Sequence, residues 1–404
     1  MGRVKYRPIP VKKLLRRMKD TSWLMVDLAF YSVMYGDEEL AKEVLELENS
    51  VDELDMLLTM QAALATRNVE EAERMVSVFK LASATNAISD AAAEIAKVAL
   101  HKMRIPREAA LSMRGMDEVL ARASIGEEAR SATLKEFMEK AGAIADVVAV
   151  RRGRDVILEP PLDFKLSPGD VLLLKGSLSA VNTLLKYLGQ EPLPKGEGGD
   201  AYGEAVDMLA KLRDVTTLMV DLAYTALLTK SEALAEKVME LEEHVDELVE
   251  DFQRRVVELE SLKPEEKAGM IVIAYASEGI ADAANYIVEP LVAGLEPHPI
   301  IADVLDETLE RISVIEMDES DDGLTLAELG YLKRGLRVLA VRRNGKWVIR
   351  PPYSTFRVKR GDVLIVKYAA EVEEVVEALE EEEDREEIIE DIREEEWRAR
   401  YHQA

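Results

Sequence analysis

Between Val11 and Tyr35, apolar residues recur at Leu14, Leu15, Met18, Leu24, Leu28 and Tyr31, the three-and-four spacing of one helix face. Gly36-Asp37 breaks the pattern, and Asp37 is placed to cap a second helix. That helix is predicted over 38–66, where Leu40, Val44, Leu47, Val51, Leu54 and Leu58 alternate spacings of four and three as a heptad seam. A third is predicted over 69–103. It is rich in alanine (Ala82, Ala84, Ala87, Ala91, Ala92, Ala96), so a partner helix can approach closely. Three long helices with short turns predict an antiparallel bundle.

After Pro106 the period changes. A short helical stretch (107–121) leads to a strand near Ala121–Ile125, and a short helix comes next over 132–140, led by Ser131 or Thr133. Strands are predicted over 145–151 and 155–158, the latter stopped by Pro160-Pro161. Ser167-Pro168-Gly169-Asp170 reads as a turn, Val171–Lys175 as a buried strand and 179–188 as a closing helix. These elements predict a small α+β domain. GQEPLPKGEGG (189–199) is a linker pattern.

The order then repeats. LMVDLA at 24–29 is identical to LMVDLA at 218–223. The heptad seam returns at Leu234, Val238, Leu241, Val245, Leu248 and Phe252, and Pro264 is well placed to open the next helix. AVRR at 149–152 returns at 340–343, the proline pair at 351–352 and Gly-Asp at 361–362. The fold class is therefore α+β multidomain, a tandem duplication in which two antiparallel helical bundles alternate with two small α+β domains. The predicted boundaries are bundle 10–104, α+β domain 105–189, linker 190–200, bundle 201–296, α+β domain 297–380 and an acidic tail over 381–404. In the tail, Ile388, Ile389, Ile392 and Trp397 form a helical stripe. It is read as solvated, the alternative being docking on the basic N-terminus of a second chain.

A length of 404 residues exceeds one ordinary core, in keeping with several domains. The net charge of −27 argues against nucleic acid as a partner and suits cations. Without cysteine there is no disulfide, thiolate metal site or cysteine nucleophile. The four histidines (101, 244, 298, 402) are scattered, and no Ser-His-Asp set, phosphate-binding loop or zinc triad can be assembled, so an enzyme is not expected. His298, between prolines, reads as a hinge residue, and the two Gly-Asp pairs read as turns. The basic lead-in MGRVKYRPIP lacks a signal peptide's apolar segment, and no apolar run approaches the ~18–20 residues of a membrane helix. A cytoplasmic protein is expected. The lead-in is read as a solvated start, with docking on a membrane surface or another subunit as the alternative.

The candidate chemistry lies in ELENSVDEL (46–54) and its counterpart ELEEHVDEL (240–248). Each sets two acids four residues apart, Glu48 with Asp52 and Glu242 with Asp246, on the flank of the seam. Like charges at that spacing cost roughly 0.2–0.5 kcal/mol. On the third helices, Asn86 precedes Asp90 and Glu278 precedes Asp282 by the same spacing. Carboxylates projecting between antiparallel helices predict a hard-cation site for Mg, Ca, Mn or Fe. The second set is Glu242, Asp246, Glu278 and Asp282, with His244 and Asn285 nearby in sequence. The first is Glu48, Asp52 and Asp90, with Asn86 as a neutral fourth. The alternative is a solvated flank whose acids pair with lysines such as Lys42 or Lys97. No organic cofactor is indicated.

The helical units resemble PhoU domains, which carry such acidic x-x-x motifs on neighbouring helices. EGIADAANYI (278–287) is similar to the family's E-R-I-x-D-H-A-x-N-I, with Glu278, Asp282, Ala284 and Asn285 in register and Ala283 in place of His. The first copy departs further, with Asn86 in place of Glu. The α+β units resemble the C-terminal domain of the TrkA/RCK regulators of potassium transport. The matching stretches are Pro160-Pro161 through SPGDVLLLKG (167–176) and Pro351-Pro352 through KRGDVLIVKY (359–368). Together the resemblances cover residues 10–380, without the nucleotide-binding G-x-G-x-x-G half of the RCK family. They imply a regulatory subunit of a cation transporter or channel, potassium foremost, sensing a small effector or cation through paired TrkA-C domains. They also imply a homo-oligomer dimerised through those domains and a place at the inner face of the membrane. The PhoU resemblance alone implies a phosphate-signalling or metal-binding adaptor, and a metal-dependent hydrolase is a distant third reading.

Overall fold

A computed structural model of the chain describes residues 4–101, 103, 105–113, 118–127, 132–193, 201–370 and 376. The first bundle is α1 (Val11–Tyr35), α2 (Glu38–Ala65) and α3 (Val69–Leu100). Helix α1 stops where Gly36 turns left-handed at φ 62° and donates its N–H to the carbonyls of Ser32 and Val33. Asp37 then caps α2 by accepting from Leu40 N at 3.2 Å, and Asn68 caps α3 by accepting from Glu71 N at 2.9 Å. Of the predicted seam on α2, Leu40, Val44, Val51, Leu54 and Leu58 are buried and Leu47 is partly so. Helix α3 ends before the expected residue 103. The lead-in lies along α2, where Tyr6 Oη donates to Gln61 Oε1 at 2.8 Å and Arg7 pairs with Glu53.

The first α+β unit comprises α4 (Arg107–Ser112), β1 (Glu118–Ser124), α5 (Leu134–Ala141), β2 (Asp146–Arg152), β3 (Asp155–Leu158), β4 (Val171–Ser177) and α6 (Leu178–Tyr187). Its antiparallel sheet has the order β1-β4-β2-β3. The helix expected to reach 121 stops at Ser112, and the strand expected at 121 begins at Glu118. Thr133 opens α5 in a capping box with Glu136.

The second half repeats this plan with α7 (Ala201–Thr229), α8 (Glu232–Glu258), α9 (Pro264–Val292), α10 (Ile300–Glu307) and β5 (Glu310–Glu316). It continues with α11 (Leu326–Leu329), β6 (Arg337–Arg343), β7 (Lys346–Ile349) and β8 (Val363–Ala369), and the sheet order is β5-β8-β6-β7. The duplication read from the sequence is thus a duplication of topology. Residues 194–200 of the linker and the tail expected over 381–404 lie outside the described residues. No helix among the described residues is long and apolar enough to cross a membrane.

One hydrophobic core runs through both bundles and takes in one face of each sheet, through Leu120, Ala149 and Leu173 in the first and Ile312, Ala340 and Ile365 in the second. The alanine face of α3 receives the other bundle's third helix. A Cβ added at Gly279 of α9 would lie 3.8 Å from Ala91 Cβ, and one at Gly269 would lie 2.7 Å from Ile105 Cδ1. The outer faces of the sheets have separate small cores, around Phe137 and Leu172 in one and Tyr331 and Leu364 in the other.

The repeated AVRR and Gly-Asp motifs meet in space. Arg152 grips Asp170 through Nε at 2.8 Å and Nη2 at 2.7 Å, while Ser167 N donates to Asp170 Oδ2 at 2.8 Å. Burial opposes ionisation of Asp170, but Arg152 and the Ser167 N–H outweigh it and hold the carboxyl below its ordinary range. Arg343 grips Asp362 in the same way, with Nε at 2.7 Å. The neighbouring Arg151 reaches Asp37 between α1 and α2 at 2.5 Å, fastening the first sheet to its bundle.

A buried chain of charge joins the two halves. Lys175, on the central strand β4, contacts Asp27 of α1 at 2.9 Å and Glu310 of β5 at 2.5 Å. Lys367, its counterpart on β8, contacts Asp221 of α7 at 3.0 Å and the other oxygen of Glu310 at 2.8 Å. The Trp23 ring lies beside both ammonium groups, at 5.8 and 5.2 Å. Burial opposes ionisation of Glu310, but the charges and hydrogen bonds of the two lysines outweigh it, so its carboxyl is held well below the usual carboxylate range. Lys367→Met takes the paired ammonium from buried Asp221 and leaves Glu310 to Lys175 alone, and is expected to lower stability by about 3–5 kcal/mol in equilibrium urea unfolding. Lys42→Met, which removes a surface pair with Glu39, is expected to leave the midpoint unchanged.

Candidate functional site

The apolar face of α8 buries Val245 and, outside the predicted seam, Val249, with Leu241 and Leu248 only partly buried, and places Glu242 and Asp246 one turn apart on the flank beside α9. On α9, Ala281 and Ala283 are buried and Asp282 between them is exposed. One carboxylate oxygen from each of Glu242, Asp246 and Asp282 lies within 4.8 Å of the other two. Burial, then the charges of Asp246 and Asp282, raise the Glu242 carboxyl above its ordinary range. Burial and Asp246 do the same to Asp282. Glu278 lies outside the three-residue group but is raised by burial and by the fields of Asp246, Asp282 and Glu242. Four acids thus share one groove, three of them in ligand contact distance.

Two further atoms describe what the groove suits. Asp246 Oδ1 and Asn285 Oδ1 are buried there without a hydrogen-bond partner. Both are acceptors, so a cation satisfies them where another carboxylate cannot. A donor set of oxygens alone, with three carboxylates, fits a hard divalent or iron-type ion. Glu242, Asp246 and Asp282 would hold it, with Asn285 and Glu278 beside them.

The first half does not assemble the same group. Among the described residues, Glu48, Asp52 and Asp90 do not bring three oxygens within that distance. Burial raises Glu48 while Lys97 lowers it, and burial and Asp52 raise Asp90. Lys97 pairs with Glu94 at 2.7 Å, so an ammonium already stands near Glu48 and Asp90. Asn86 Nδ2 lies 3.4 Å from Asp90 Oδ2, while Asn86 Oδ1 is buried without a partner. The equivalent of Lys97 in the second half is Glu289, which pairs with Lys80 of α3 at 2.5 Å. Lys42, the other expected partner of the first acids, pairs with Glu39 instead at 2.8 Å. His244 is exposed, with Nε2 3.5 Å from Lys211 Nζ. His298 Nδ1 accepts from Ile300 N at 3.1 Å at the start of α10, and the His298 backbone N–H donates to Ser77 Oγ of α3 at 2.9 Å.

Sequence reasoning did not single out Asp27, Lys175, Asp221, Glu310 or Lys367. The signal was present: a lone Asp inside LMVDLA, and a lone Lys closing VLLLK and VLIVK, at equivalent places in both halves.

Residues 15–99 and 209–291 match the PhoU domain, and residues 132–189 match the TrkA-C domain. The chain carries two PhoU domains and a TrkA-C domain between them. The second sheet, with the strand order of the first, completes the alternation of bundle and α+β unit. Among solved structures, PhoU from Pseudomonas aeruginosa is similar at 15% identity, over 70% of this chain and 93% of that one, with a TM-score of 0.38. PhoU from Streptococcus pneumoniae is similar at 13% identity, over 70% and 93%, with a TM-score of 0.36. The GsuK RCK domain is similar at 13% identity, over 67% and 68%, with a TM-score of 0.17. No curated protein matches the chain.

Adding Mn2+ or Ca2+ to metal-stripped protein is expected to raise its melting temperature, and Asp246→Asn with Asp282→Asn to abolish that rise, as read by thermal denaturation. The pH dependence comes from the same charges. A carboxyl raised in the folded state favours folding below its ordinary range and loses that contribution as pH rises through the raised value. In metal-free protein Asp282→Asn is therefore expected to stabilise at neutral pH, with the gain over wild type fading as pH falls through the carboxylate range.

Proposed function

We propose that this protein is a cytosolic regulatory subunit of a membrane cation transporter or channel, with potassium as the transported ion. PhoU and TrkA-C are regulatory domains, and the presence of TrkA-C units beside PhoU bundles favours cation transport over phosphate signalling alone. The observation that carries the reading is the buried chain Asp27–Lys175–Glu310–Lys367–Asp221. It ties the first helix of each bundle to the central strand of each sheet, so an event at one unit is felt by the other three. In this reading the α+β units sense a small ligand or cation. The bundles, with a divalent or iron-type ion between α8 and α9, present the surface that meets the transporter. The two sheets also approach each other within one chain: Ile144 and Gly335, Asp146 and Arg337, and Lys175 and Lys367 line one small cavity in equivalent pairs.

The second reading, a phosphate-signalling adaptor, is favoured by the two PhoU domains making up most of the matched residues. Affinity capture of the tagged full chain from native membranes separates the two. A cation transporter is expected as the partner, together with altered rubidium uptake when the chain is deleted. Recovery of a phosphate transporter, with unchanged rubidium uptake, establishes the second reading instead.

A further inference from the structure

The two bundles differ along the outward side of their second helices. In the first bundle the basic lead-in lies on α2. Tyr6 Oη donates to Gln61 Oε1 at 2.8 Å, Arg7 pairs with Glu53, and Val4 and Ile9 pack against the shared core. The chain thus shows what this helix accepts: an irregular basic segment, its arginine on an exposed acid and its apolar residues turned inward.

Aligned through ELENSVDEL and ELEEHVDEL, Glu53 corresponds to Glu247 of α8, and Asn49 and Met56 correspond to Glu243 and Glu250. One acid and two neutral residues on α2 are three acids on α8. Their spacing of four and three sets them in one ridge, and all three are exposed. From Val238 to Gln253 the helix carries seven acids and no lysine or arginine, so the ridge gains no counter-charge from its own helix before Arg254. The surrounding cations are engaged elsewhere. Lys237 pairs with Glu240, Arg254 with Asp251 at 3.6 Å and Arg255 with Glu204 at 2.6 Å, and Lys211 of α7 stands against His244 at 3.5 Å. Among the described residues, none makes an ion pair or a side-chain hydrogen bond with Glu243, Glu247 or Glu250.

The second bundle also lacks a lead-in of the first kind. Ala201 aligns with Arg7, and α7 is already helical there. The stretch before it, residues 194–200, has one lysine against two acids and brings no surplus of positive charge. The ridge is separate from the three-carboxylate group, whose Glu242 and Asp246 sit on the flank toward α9.

We propose that the outward ridge of α8 docks a basic, cytosol-facing segment of the membrane transporter, laid along α8 as the lead-in lies along α2, with its lysines or arginines on Glu243, Glu247 and Glu250. Cytosolic loops of membrane proteins are rich in Lys and Arg, which matches the ridge in sign. A net charge of −27 disfavours the anionic lipid surface itself as the occupant. The inference names the docking surface within the role proposed above and rests on that reading only for which protein carries the basic segment.

Fluorescence anisotropy of the full chain with a labelled synthetic peptide of residues 2–11, GRVKYRPIPV, tests it, because this peptide contains the segment that α2 already accepts. Saturable binding of one peptide per chain is expected, weakening as salt is raised. Glu243→Lys with Glu247→Lys is expected to weaken it at least about tenfold. Should that pair disturb folding, Glu243→Gln with Glu247→Gln is expected to weaken it several-fold at an unchanged melting temperature. Glu73→Lys with Glu139→Lys makes the same change in net charge at two exposed acids elsewhere and is expected to keep the affinity within about twofold. No saturable binding, equal weakening by the Glu73 and Glu139 pair, or loss of binding with Glu53→Gln, which places the peptide on α2, overturns the proposal. These readouts need no transporter, so a failed membrane capture leaves them intact, and absent peptide binding leaves the capture result standing.

Discussion

Three carboxylates and two ammonium groups are withdrawn from water where the bundles meet the sheets, and the arrangement of the molecule depends on their pairing. Asp27 and Asp221 come from the first helix of each bundle, Lys175 and Lys367 from the central strand of each sheet, and Glu310 bridges both lysines from the edge strand of the second sheet. Withdrawing each ion costs several kcal/mol, which is recovered only if every partner keeps its place. Burial pushes Asp27 and Asp221 upward against the pull of Lys175 and Lys367, and the negative charge of Glu310 adds to the rise. The cluster therefore restricts the sheets more than it adds stability: neither can slide on its bundle without leaving a charge unpaired in a dry place. The shared core of the two bundles adds a second restriction that is less directional.

Duplication supplied two copies of every site, and the copies have diverged in charge at equivalent places. On the bundles, the second copy gathers Glu242, Asp246 and Asp282, while the first places Lys97 and Asn86 near Glu48 and Asp90. At the sheet corners the sign reverses: the second copy carries its own guanidinium at Arg350, and the first carries Glu159 beside a cleft. On the bundles, one half thus sets an ammonium near its acids where the other groups three carboxylates.

Much of this was legible in the sequence. The helices were marked by an apolar stripe in α1, by heptad seams in α2 and α8, by Asp37 as a cap and by Gly36 as a stop, all of which act within a turn or two of chain. The grouping of Glu242, Asp246 and Asp282 was legible because helical spacing fixes which residues share a flank. Glu278 fell just outside the ligand group because its distance from Asp246 depends on how α8 and α9 cross, a quantity no single helix encodes. The start of β1 was misplaced because an apolar stretch such as VLARAS suits either a helix or a strand until β4 pairs with it.

The sequence by itself determined the duplication, the alternation of bundle and sheet, and the acidic flanks, because periodicity, caps and turns are local properties of the chain. Only the tertiary structure decided that AVRR meets Gly-Asp, that α3 lies on α9, and that Lys175 and Lys367 share Glu310. Those contacts join residues far apart in sequence, and their strength comes from burial, which arises only once the core has closed around them.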